Sequence, residues 1–379
     1  MLSNIEIIFE EEALCRLPEI CREHEYKRAF ILCGEKTHKI AGEKICKLLS
    51  QNGVEVYYYN KIEKPNRTTV KIIKSMVNGK KPDIILGIGG GKNLDIAKTV
   101  SFESGIKWIS VPTQLPHDGI MNNVATLGEG RFLHSEPAAS PDFVIADKSI
   151  IKTADTKTFI DGFFDIVDKY LAVKDWKMAV EVGKSECPWV EKAAQLALCA
   201  ANDATRALYE IGKYKNPLNS VEVGSEFMDA LFNCICYSSE AMILAKSTRP
   251  ASGSGHKWAH SLRRYMPDVS HGESVRRGTY FGTKLWEHFY EEAPFGMNSE
   301  KLLQLSKNVN LSHDIDKRIA IKTTSYCPSI RPCYPDANSG RSPVGNSGRY
   351  TVIERVKDDF GIDISDEKNA ERVLYEIKF

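Results

Sequence analysis

Short apolar runs alternate with amphipathic stretches along residues 1–150. The apolar runs predict strands, and the stretches whose apolar residues recur every three to four positions predict helices. We expect helices at 37–51, 66–78 and 93–104, with Asn66 as the cap of the second. The predicted strands cover residues 29–33, 54–59, 83–88 and 107–111. Strands that alternate with helices favour a parallel sheet with right-handed crossovers and helices on both faces.

From residue 151 onward the apolar positions follow the helical period, with few β-branched runs. The predicted helices cover residues 158–182, 189–211, 221–246 and 278–291. A chain of 379 residues is too long for one compact core and suits two domains. We therefore predict an α/β plus all-α protein, with a Rossmann-like parallel-sheet domain over residues 1–150 and a helical domain over residues 151–379.

A segment dense in Pro, Gly, Ser and Asn lies between Tyr326 and Tyr350 and predicts a long irregular loop, which is usually functional or mobile. The chain has ten cysteines but no CxxC pair, so neither a disulfide framework nor a thiolate zinc site is indicated. We expect most of them to be buried thiols in a reducing cytoplasm. Cys327 and Cys333, in the loop, are the pair least expected to be inert.

The charges nearly cancel, with 51 Lys and Arg against 50 Asp and Glu. No global field therefore favours nucleic acid or an anionic membrane as a partner. The N-terminus is acidic and lacks the basic and apolar regions of a signal peptide. No apolar run approaches the roughly 20 residues that a membrane span requires. We expect a cytoplasmic protein.

The segment 87–98, GIGGGKNLDIAK, follows a predicted strand and opens a predicted helix. In this context glycines let the backbone approach a phosphate, and the helix N-terminus supplies free N–H groups. The segment is not the GxGxxG fingerprint, and a tight turn without a ligand is the alternative. Three consecutive glycines cost backbone entropy on folding, so we predict phosphate binding.

Glu35 follows the first predicted strand, where an acidic side chain often accepts hydrogen bonds from an adenosine ribose. An acid there favours NAD over NADP, because it repels a 2′-phosphate. A solvated loop carboxylate is the alternative interpretation.

Three histidines occur in the helical half, namely His256, His260 and His271. The first two are four residues apart and share a face if that stretch is helical. Asp165 and Asp168 both qualify as an accompanying carboxylate. Neutral imidazoles and one carboxylate suit Zn²⁺, with an open position for a substrate oxygen. Taken alone, this spacing favours ordinary surface or core histidines over a metal site.

Five motifs that occur in one order favour the metal site over ordinary histidines. They are GIGGGKNLDIAK, SVPTQLPHDGI, DGFFDIVDKYLAVKDWKMA, STRPASGSGHKWAH and SHGES. Together with GRYTVIERV near the end, they resemble sn-glycerol-1-phosphate dehydrogenases. These belong to the wider superfamily of glycerol dehydrogenases, iron-containing alcohol dehydrogenases and dehydroquinate synthases. The resemblance runs from about residue 31 to 355, interrupted by the loop before Tyr350.

The resemblance implies a dehydroquinate synthase-like fold, in which a dinucleotide domain precedes a helical domain and the active site lies in the cleft between them. It implies NAD(H) or NADP(H), Zn²⁺ or another divalent ion, and a homodimer or larger homo-oligomer. The implied metal ligands are Asp165, His256 and His271. The implied cofactor-binding and nicotinamide-side residues are Gly89, Gly90, Gly91, Asp95, Thr113 and Asp118. His260 corresponds to a histidine that relays a proton or packs structurally, and Asp168 lies off the metal position and is expected to face solvent.

The sequence departs from the family pattern around the substrate. Gly255 replaces the usual acid before the first metal histidine, residues 120–127 are atypical, and the loop before Tyr350 is unusual. Arg276 and Arg277 stand where small or apolar residues are more common. Because a guanidinium pairs well with phosphate, we predict that these arginines bind a substrate phosphate. A solvated helix face or a subunit contact is the alternative.

The function implied is reduction of a ketone by NAD(P)H to a secondary alcohol, with dihydroxyacetone phosphate and sn-glycerol 1-phosphate as the substrate pair. Asp118 and His260 are the implied catalytic residues. A dehydrogenase of a longer sugar or polyol phosphate, or of another hydroxyketone, is one alternative. A sugar-phosphate cyclase of the dehydroquinate synthase kind is another, although its lysine-rich motifs are not evident. A binding protein that retains the fold without catalysis is the third.

Overall fold

A computed structural model describes residues 4–129, 132–330 and 349–379 of the chain. It divides into two compact units, an N-terminal unit, Met1–Asp155, and a C-terminal unit, Thr156–Phe379. The predicted loop lies mostly within residues 331–348, and that part, including Cys333, falls outside the described residues.

The N-terminal unit is built on a six-stranded sheet in the order β1-β8-β5-β4-β2-β3, in which every neighbouring pair is parallel. A separate antiparallel pair joins β6 to β7. The strands are β1 (Glu6–Glu10), β2 (Arg28–Leu32), β3 (Glu55–Tyr59), β4 (Ile84–Gly89), β5 (Trp108–Pro112), β6 (Val124–Glu129), β7 (Phe132–Pro137) and β8 (Phe143–Asp147). The central strands β4 and β5 are buried along their whole length, as apolar strands with both faces covered must be.

This arrangement confirms the predicted parallel α/β class, and β2 to β5 match the four predicted strands. The edge strand β1, the inner strand β8 and the β6–β7 pair were not predicted. The unit's helices are α1 (Leu17–Glu23), α2 (Glu35–Thr37), α3 (Glu43–Gln51), α4 (Arg67–Lys80), α5 (Gly91–Ser104) and α6 (Lys148–Ile151). Asn66 caps α4 as predicted, because its side chain accepts from the backbone N–H of Thr69 at 2.8 Å. The single helix predicted over 37–51 is interrupted by a π-helical turn, His38–Gly42.

In the C-terminal unit every described regular element is a helix, which confirms the all-α prediction for this half. The α-helices are α7 (Thr156–Val167), α8 (Lys169–Glu181), α9 (Glu191–Ile211), α10 (Val221–Ala245), α11 (Ser254–Tyr265), α12 (His271–Tyr290), α13 (Ser299–Asn308), α14 (Lys317–Tyr326), α15 (Val352–Phe360) and α16 (Glu367–Glu376). The predicted helix 158–182 was wrong as one element, since it divides at Asp168 into α7 and α8. The predicted helix 278–291 begins earlier, because Ser270 caps α12 by accepting from Glu273 N at 3.2 Å.

The nine described cysteines are all free thiols, but only four of them are buried, so the expectation that most are buried was wrong. Cys327 is fully buried, and burial raises the pKa of its thiol. Its expected reactivity was therefore wrong, because a thiol held protonated is a poor nucleophile. None of the described helices is both long and apolar enough to cross a bilayer.

Candidate metal centre and nucleotide site

Three helices of the C-terminal unit bring a carboxylate and two imidazoles to one point. Asp165 lies in the last turn of α7, His256 in the first turn of α11, and His271 is the first residue of α12. Asp165 Oδ1 is 3.3 Å from His256 Nε2 and 3.1 Å from His271 Nε2. One potential ligand atom from each residue lies within 4.8 Å of the others. The structure thus brings together the three residues predicted as metal ligands.

The second oxygen of the Asp165 carboxylate is occupied by a buried lysine. Lys169, one turn later, donates from Nζ to Asp165 Oδ2 at 3.1 Å and to the Asp165 carbonyl oxygen at 2.8 Å. Both side chains are fully buried. Burial alone would raise the pKa of Asp165, but the charge of Lys169 and the hydrogen bonds from the two histidines hold it well below its usual range. Asp165 is therefore an anion that offers Oδ1 to the centre.

The ionisation of His271 also suits a ligand. Burial lowers the pKa of His271, and this effect outweighs the hydrogen bond to Asp165, which by itself would raise the pKa. A histidine must be neutral to bind a metal ion, so this environment favours the ligand form.

Asp168 is fully buried, so the expectation that it faces solvent was wrong. Its Oδ2 is 2.7 Å from His256 Nδ1, and its Oδ1 accepts from Thr279 Oγ1 at 2.7 Å. The pKa of His256 is raised although burial opposes this, because the carboxylates of Asp168 and Asp165 both attract a proton to the ring. The sequence did not reveal this contact, because it depends on the break between α7 and α8.

His260 lies beside the centre but outside the three-residue group. Its ring centroid is 6.4 Å from that of His256 and 6.3 Å from that of His271. The predicted shared face of His256 and His260 is present, since both lie on α11. This position fits both interpretations of His260, a proton relay and structural packing.

Arg276 and Arg277 are only 3% and 7% exposed, so the alternative of a solvated helix face was wrong. Arg276 Nη2 donates to the Ser312 carbonyl oxygen at 2.7 Å. Arg277 donates to the His313 carbonyl oxygen at 3.2 Å and to Glu273 Oε1 at 3.1 Å. Within the described chain, Nε and Nη1 of Arg276 have no hydrogen-bond partner. Burial and the neighbouring Arg277 lower the pKa of Arg276 to about 10.

In the N-terminal unit the glycine run forms the turn from β4 into α5. Gly89 has φ of +135°, a conformation that L side chains rarely adopt, and Gly90 is the N-cap of α5. A Cβ on Gly91 would lie 2.4 Å from His117 Nε2. The backbone conformation therefore requires glycine at position 89 independently of any ligand, whereas the contact at Gly91 is with the end of a side chain that can move. The free N–H groups at the start of α5 are those that the phosphate prediction needs.

Residues predicted around the cofactor follow adjacent strands of the sheet. Thr113 follows β5, is nearly buried, and donates from its backbone N–H to the Gly89 carbonyl oxygen at 3.2 Å. Glu35 is exposed at the start of α2, after β2. Because β5, β4 and β2 are neighbours in the parallel sheet, their carboxyl ends share one edge. Ligands of open α/β sheets bind at that edge.

Asn93 joins two of these turns and was not predicted. Its Nδ2 donates to the Ile88 carbonyl oxygen at 2.8 Å and to Thr37 Oγ1 at 3.0 Å. Thr37 Oγ1 also accepts from the Gly34 N–H at 3.0 Å. The turn after β2 is thereby tied to the glycine turn after β4.

The turn that contains Asp118 is anchored by buried Lys98, which was also not predicted. Lys98 Nζ donates to the carbonyl oxygens of Gly119, at 2.7 Å, and Val124, at 3.0 Å. The same nitrogen lies 3.5 Å from Asp95 Oδ1. Burial raises the pKa of Asp95 despite this neighbouring cation. Asp95 is thus a partner of Lys98 within the fold, and its contact with a cofactor stays a prediction.

Comparison with known proteins shows the family to which the chain belongs. Residues 8–155 match the family model described as iron-containing alcohol dehydrogenase. The chain is 31% identical over 334 residues to the glycerol-1-phosphate dehydrogenase [NAD(P)+] of Picrophilus torridus, covering 88% of this chain and 89% of that protein. It is 33% identical over 263 residues to the enzyme of the same name from Methanothermobacter thermautotrophicus, covering 69% and 72%.

Solved structures show the same fold at lower identity. A probable glycerol dehydrogenase from Sinorhizobium meliloti superposes with a TM-score of 0.71 and 16% identity, over 99% of this chain and 96% of that one. An NADH-dependent butanol dehydrogenase from Thermotoga maritima gives a TM-score of 0.68 and 13% identity, over 100% and 98%. The resemblance predicted from the five motifs is confirmed, and the chain belongs to the glycerol-1-phosphate dehydrogenase family.

Proposed function

We propose that this protein is a metal-dependent NAD(P)H oxidoreductase that reduces the ketone of a small phosphorylated substrate to a secondary alcohol. Dihydroxyacetone phosphate, with sn-glycerol 1-phosphate as product, is the pair that the name of the relatives supports. The observation that carries the proposal is the convergence of Asp165, His256 and His271 on one centre in a chain of this family.

The donor set fits a divalent ion. Asp165 would contribute a carboxylate oxygen, and His256 and His271 would contribute Nε2 nitrogens, a combination that suits zinc or iron. When bound, such an ion would polarise the substrate carbonyl and stabilise negative charge on its oxygen. We propose Zn²⁺, with iron as the alternative favoured by the name of the matching family model.

Side chains of the protein account for the charges and protons. Lys169 compensates the Asp165 carboxylate, so the site does not accumulate negative charge from that residue. The overall reaction consumes the ketone, NAD(P)H and one proton, and yields the alcohol and NAD(P)⁺. When bound, NAD(P)H would supply hydride to the carbonyl carbon, and we propose that His260 or water supplies the proton to the oxygen.

The cofactor is proposed to bind at the carboxyl edge of the N-terminal sheet. Gly89, Gly90 and Gly91 would admit the pyrophosphate to the N-terminus of α5. Thr113 and Asp118 would lie on the nicotinamide side. Exposed Glu35 would accept hydrogen bonds from the adenosine ribose, which favours NAD(H) over NADP(H) because a carboxylate repels a 2′-phosphate.

The proposal is tested by a screen of phosphorylated and free ketones with NADH and NADPH, before and after chelation of metal. We expect stoichiometric oxidation of NAD(P)H with dihydroxyacetone phosphate, its loss on chelation, and its recovery with Zn²⁺ or Fe²⁺. A sugar-phosphate cyclase would instead turn over substrate with no net change in NAD(P)H. Activity that survives complete removal of metal would contradict the proposed chemistry.

Arg276 is the better candidate for the substrate phosphate, because it keeps two N–H donors without a partner in the described chain. Arg277 directs its donors to carbonyl oxygens and Glu273, so we expect it mainly to support the fold. A hydrogen bond to a charged group contributes about 1.5–3 kcal/mol, so Arg276→Ala should raise KM for a phosphorylated ketone roughly 10- to 100-fold. KM for the dephosphorylated analogue should change little, and equal effects on both substrates would remove Arg276 from the phosphate site.

A further inference from the structure

We propose that Asp168 is a positioning residue that holds His256 in the tautomer and orientation required for metal binding. The inference rests on the metal centre of the proposed function, which it deepens. Asp168 would not touch the ion, the substrate or the cofactor. It would act through His256 alone.

The hydrogen bonds assign the tautomer of His256. An ionised carboxylate only accepts hydrogen bonds, so the 2.7 Å contact between Asp168 Oδ2 and His256 Nδ1 places a proton on Nδ1. In the neutral ring, Nε2 then has a free lone pair. That lone pair is directed at Asp165 Oδ1, 3.3 Å away, which is itself an acceptor. A metal ion bound there would take that lone pair, whereas in the metal-free protein a proton on Nε2 can donate to Asp165 Oδ1 instead.

The Asp168 carboxylate is itself held in place. Its Oδ1 accepts from Thr279 Oγ1 at 2.7 Å, and the side chain is fully buried. The single proton of that hydroxyl is shared with the Val275 carbonyl oxygen, which lies 2.8 Å from Thr279 Oγ1. These contacts restrict rotation of the Asp168 carboxylate away from His256 Nδ1. A histidine ligand oriented through its second nitrogen by a carboxylate is a recurrent arrangement in metal sites.

Glycine at position 255 makes room for this carboxylate. A Cβ at 255 would lie 2.1 Å from Asp168 Oδ1 and 3.1 Å from the backbone nitrogen of Thr279. A Cβ on Gly278 would likewise lie 2.1 Å from the Gly255 carbonyl oxygen, so α11 and α12 approach closely here. The residue that precedes His256 must therefore lack a side chain for Asp168 to reach the ring.

Asp175, within α8, supplies a matched control for Asp168, which directly precedes that helix. It is also a fully buried aspartate, and it accepts from the Ser254 N–H at 2.7 Å and from Trp286 Nε1 at 3.1 Å. Like Asp168 it links α8 to α11 and α12. Its contacts given by the structure involve none of the three proposed ligands, so a purely structural effect of losing a buried carboxylate would appear equally at Asp175.

The experiment measures the Kd of the metal-free, full-length protein for Zn²⁺ by competition with a chromogenic chelator, and records the visible spectrum with Co²⁺. Loss of an outer-shell partner typically weakens metal binding about 10- to 100-fold, so we expect Asp168→Ala to weaken Zn²⁺ binding in that range. Asp168→Asn, which keeps the shape and an acceptor, should weaken it less and alter the Co²⁺ spectrum. Asp175→Asn should lower the melting temperature but leave the Zn²⁺ Kd within a factor of about two.

The outcomes separate this inference from the proposed function. If the wild-type protein binds no divalent ion, the metal centre itself is wrong. If the wild type binds Zn²⁺ and His256→Ala abolishes binding, but Asp168→Ala and Asp168→Asn bind as the wild type does, only the role of Asp168 is overturned. Equal weakening by Asp175→Asn would also overturn it, because the effect would then be a general one of losing a buried carboxylate.

A second comparison tests the role of Gly255. Gly255→Ala should weaken Zn²⁺ binding in the protein that has Asp168, because the methyl group would displace the carboxylate from His256. In the Asp168→Ala background the same change should have little further effect on the Kd. Additive losses in the double variant would show that Gly255 acts independently of Asp168.

Discussion

The glycine turn of the N-terminal unit and the Asp165–His256–His271 cluster of the C-terminal unit are built from different parts of the chain. The turn is one continuous segment, and the groups it offers are backbone N–H groups at the start of α5. The cluster consists of side chains from α7, α11 and α12, whose members are up to 106 positions apart in sequence. A local pattern can predict the first site, whereas the second exists only after helices have packed.

The two sites also resist substitution for different reasons. At the turn the constraint is mainly conformational, because Gly89 has φ of +135° and a Cβ on any of the three glycines would meet a neighbouring side chain. At the cluster the constraint is one of charge. Three charged side chains are fully buried there, so their charges must balance one another and that of any bound cation; they are Asp165, Asp168 and Lys169. Substitutions at each site should therefore separate a constraint of backbone conformation from one of charge.

Removal of a ligand at the cluster should have the largest effect on activity. His271→Ala should abolish stoichiometric metal binding and lower kcat/KM by about 1,000-fold or more, since a metal contributes several kcal/mol to a polarised transition state. Nucleotide affinity of the N-terminal unit should not change. His260→Gln is the control, because His260 lies beside the cluster but outside the group of three. It should retain a full equivalent of metal, and metal loss in that variant would enlarge the ligand set.

Lys169→Met should destabilise the metal-free protein strongly. It would leave the buried Asp165 carboxylate without its cation, which typically costs about 3–5 kcal/mol. Added metal should recover part of this loss, because a divalent ion beside Oδ1 replaces the missing charge. Unfolding curves with and without Zn²⁺ measure both effects. An equal loss in the metal-free and metal-loaded proteins would show that Lys169 does not compensate charge at the centre.

Gly89→Ala should weaken the nucleotide site and the fold together. An L residue at φ of +135° costs about 1–3 kcal/mol, and the new Cβ would also lie 2.4 Å from Asn93 Nδ2. Both the free energy of unfolding and the affinity for NADH should fall, while Zn²⁺ affinity stays unchanged. Gly79→Ala, in an exposed part of α4 with no atom near its Cβ position, should instead stabilise by about 0.5–1 kcal/mol.

Glu35→Ser should produce the smallest effect, a change in cofactor preference. Removing an exposed carboxylate near a 2′-phosphate should improve NADPH affinity roughly fivefold, in line with about 1 kcal/mol for an exposed charge pair. Affinity for NADH should fall slightly. Glu43→Ser, another exposed acid in the same unit, should leave the NADPH to NADH ratio unchanged. No shift in that ratio for Glu35→Ser would favour the solvated loop carboxylate that was the alternative.

Much of the fold was predictable because the apolar runs of strands β2 to β5 alternate with helical stretches, one of which, α4, begins at the side-chain cap Asn66. The strand β8 was missed although all five of its residues are buried, because no predicted helix adjoins its short apolar run. The division of α7 from α8 was missed for a related reason. Asp168 keeps helical backbone angles, so the sequence across the break looks like one amphipathic helix.

Sequence alone was enough to predict the parallel α/β class, the all-helical second half, the glycine turn and, through motif order, the family and the three candidate ligands. These depend on local backbone preference or on residue identity at short spacing. It took the packed structure to show that Asp168 faces His256, that Lys169 occupies one oxygen of Asp165, and that Arg276 and Arg277 are buried. Those facts depend on which side chains meet when distant helices pack, and on whether burial leaves each charge compensated. No local pattern encodes either condition.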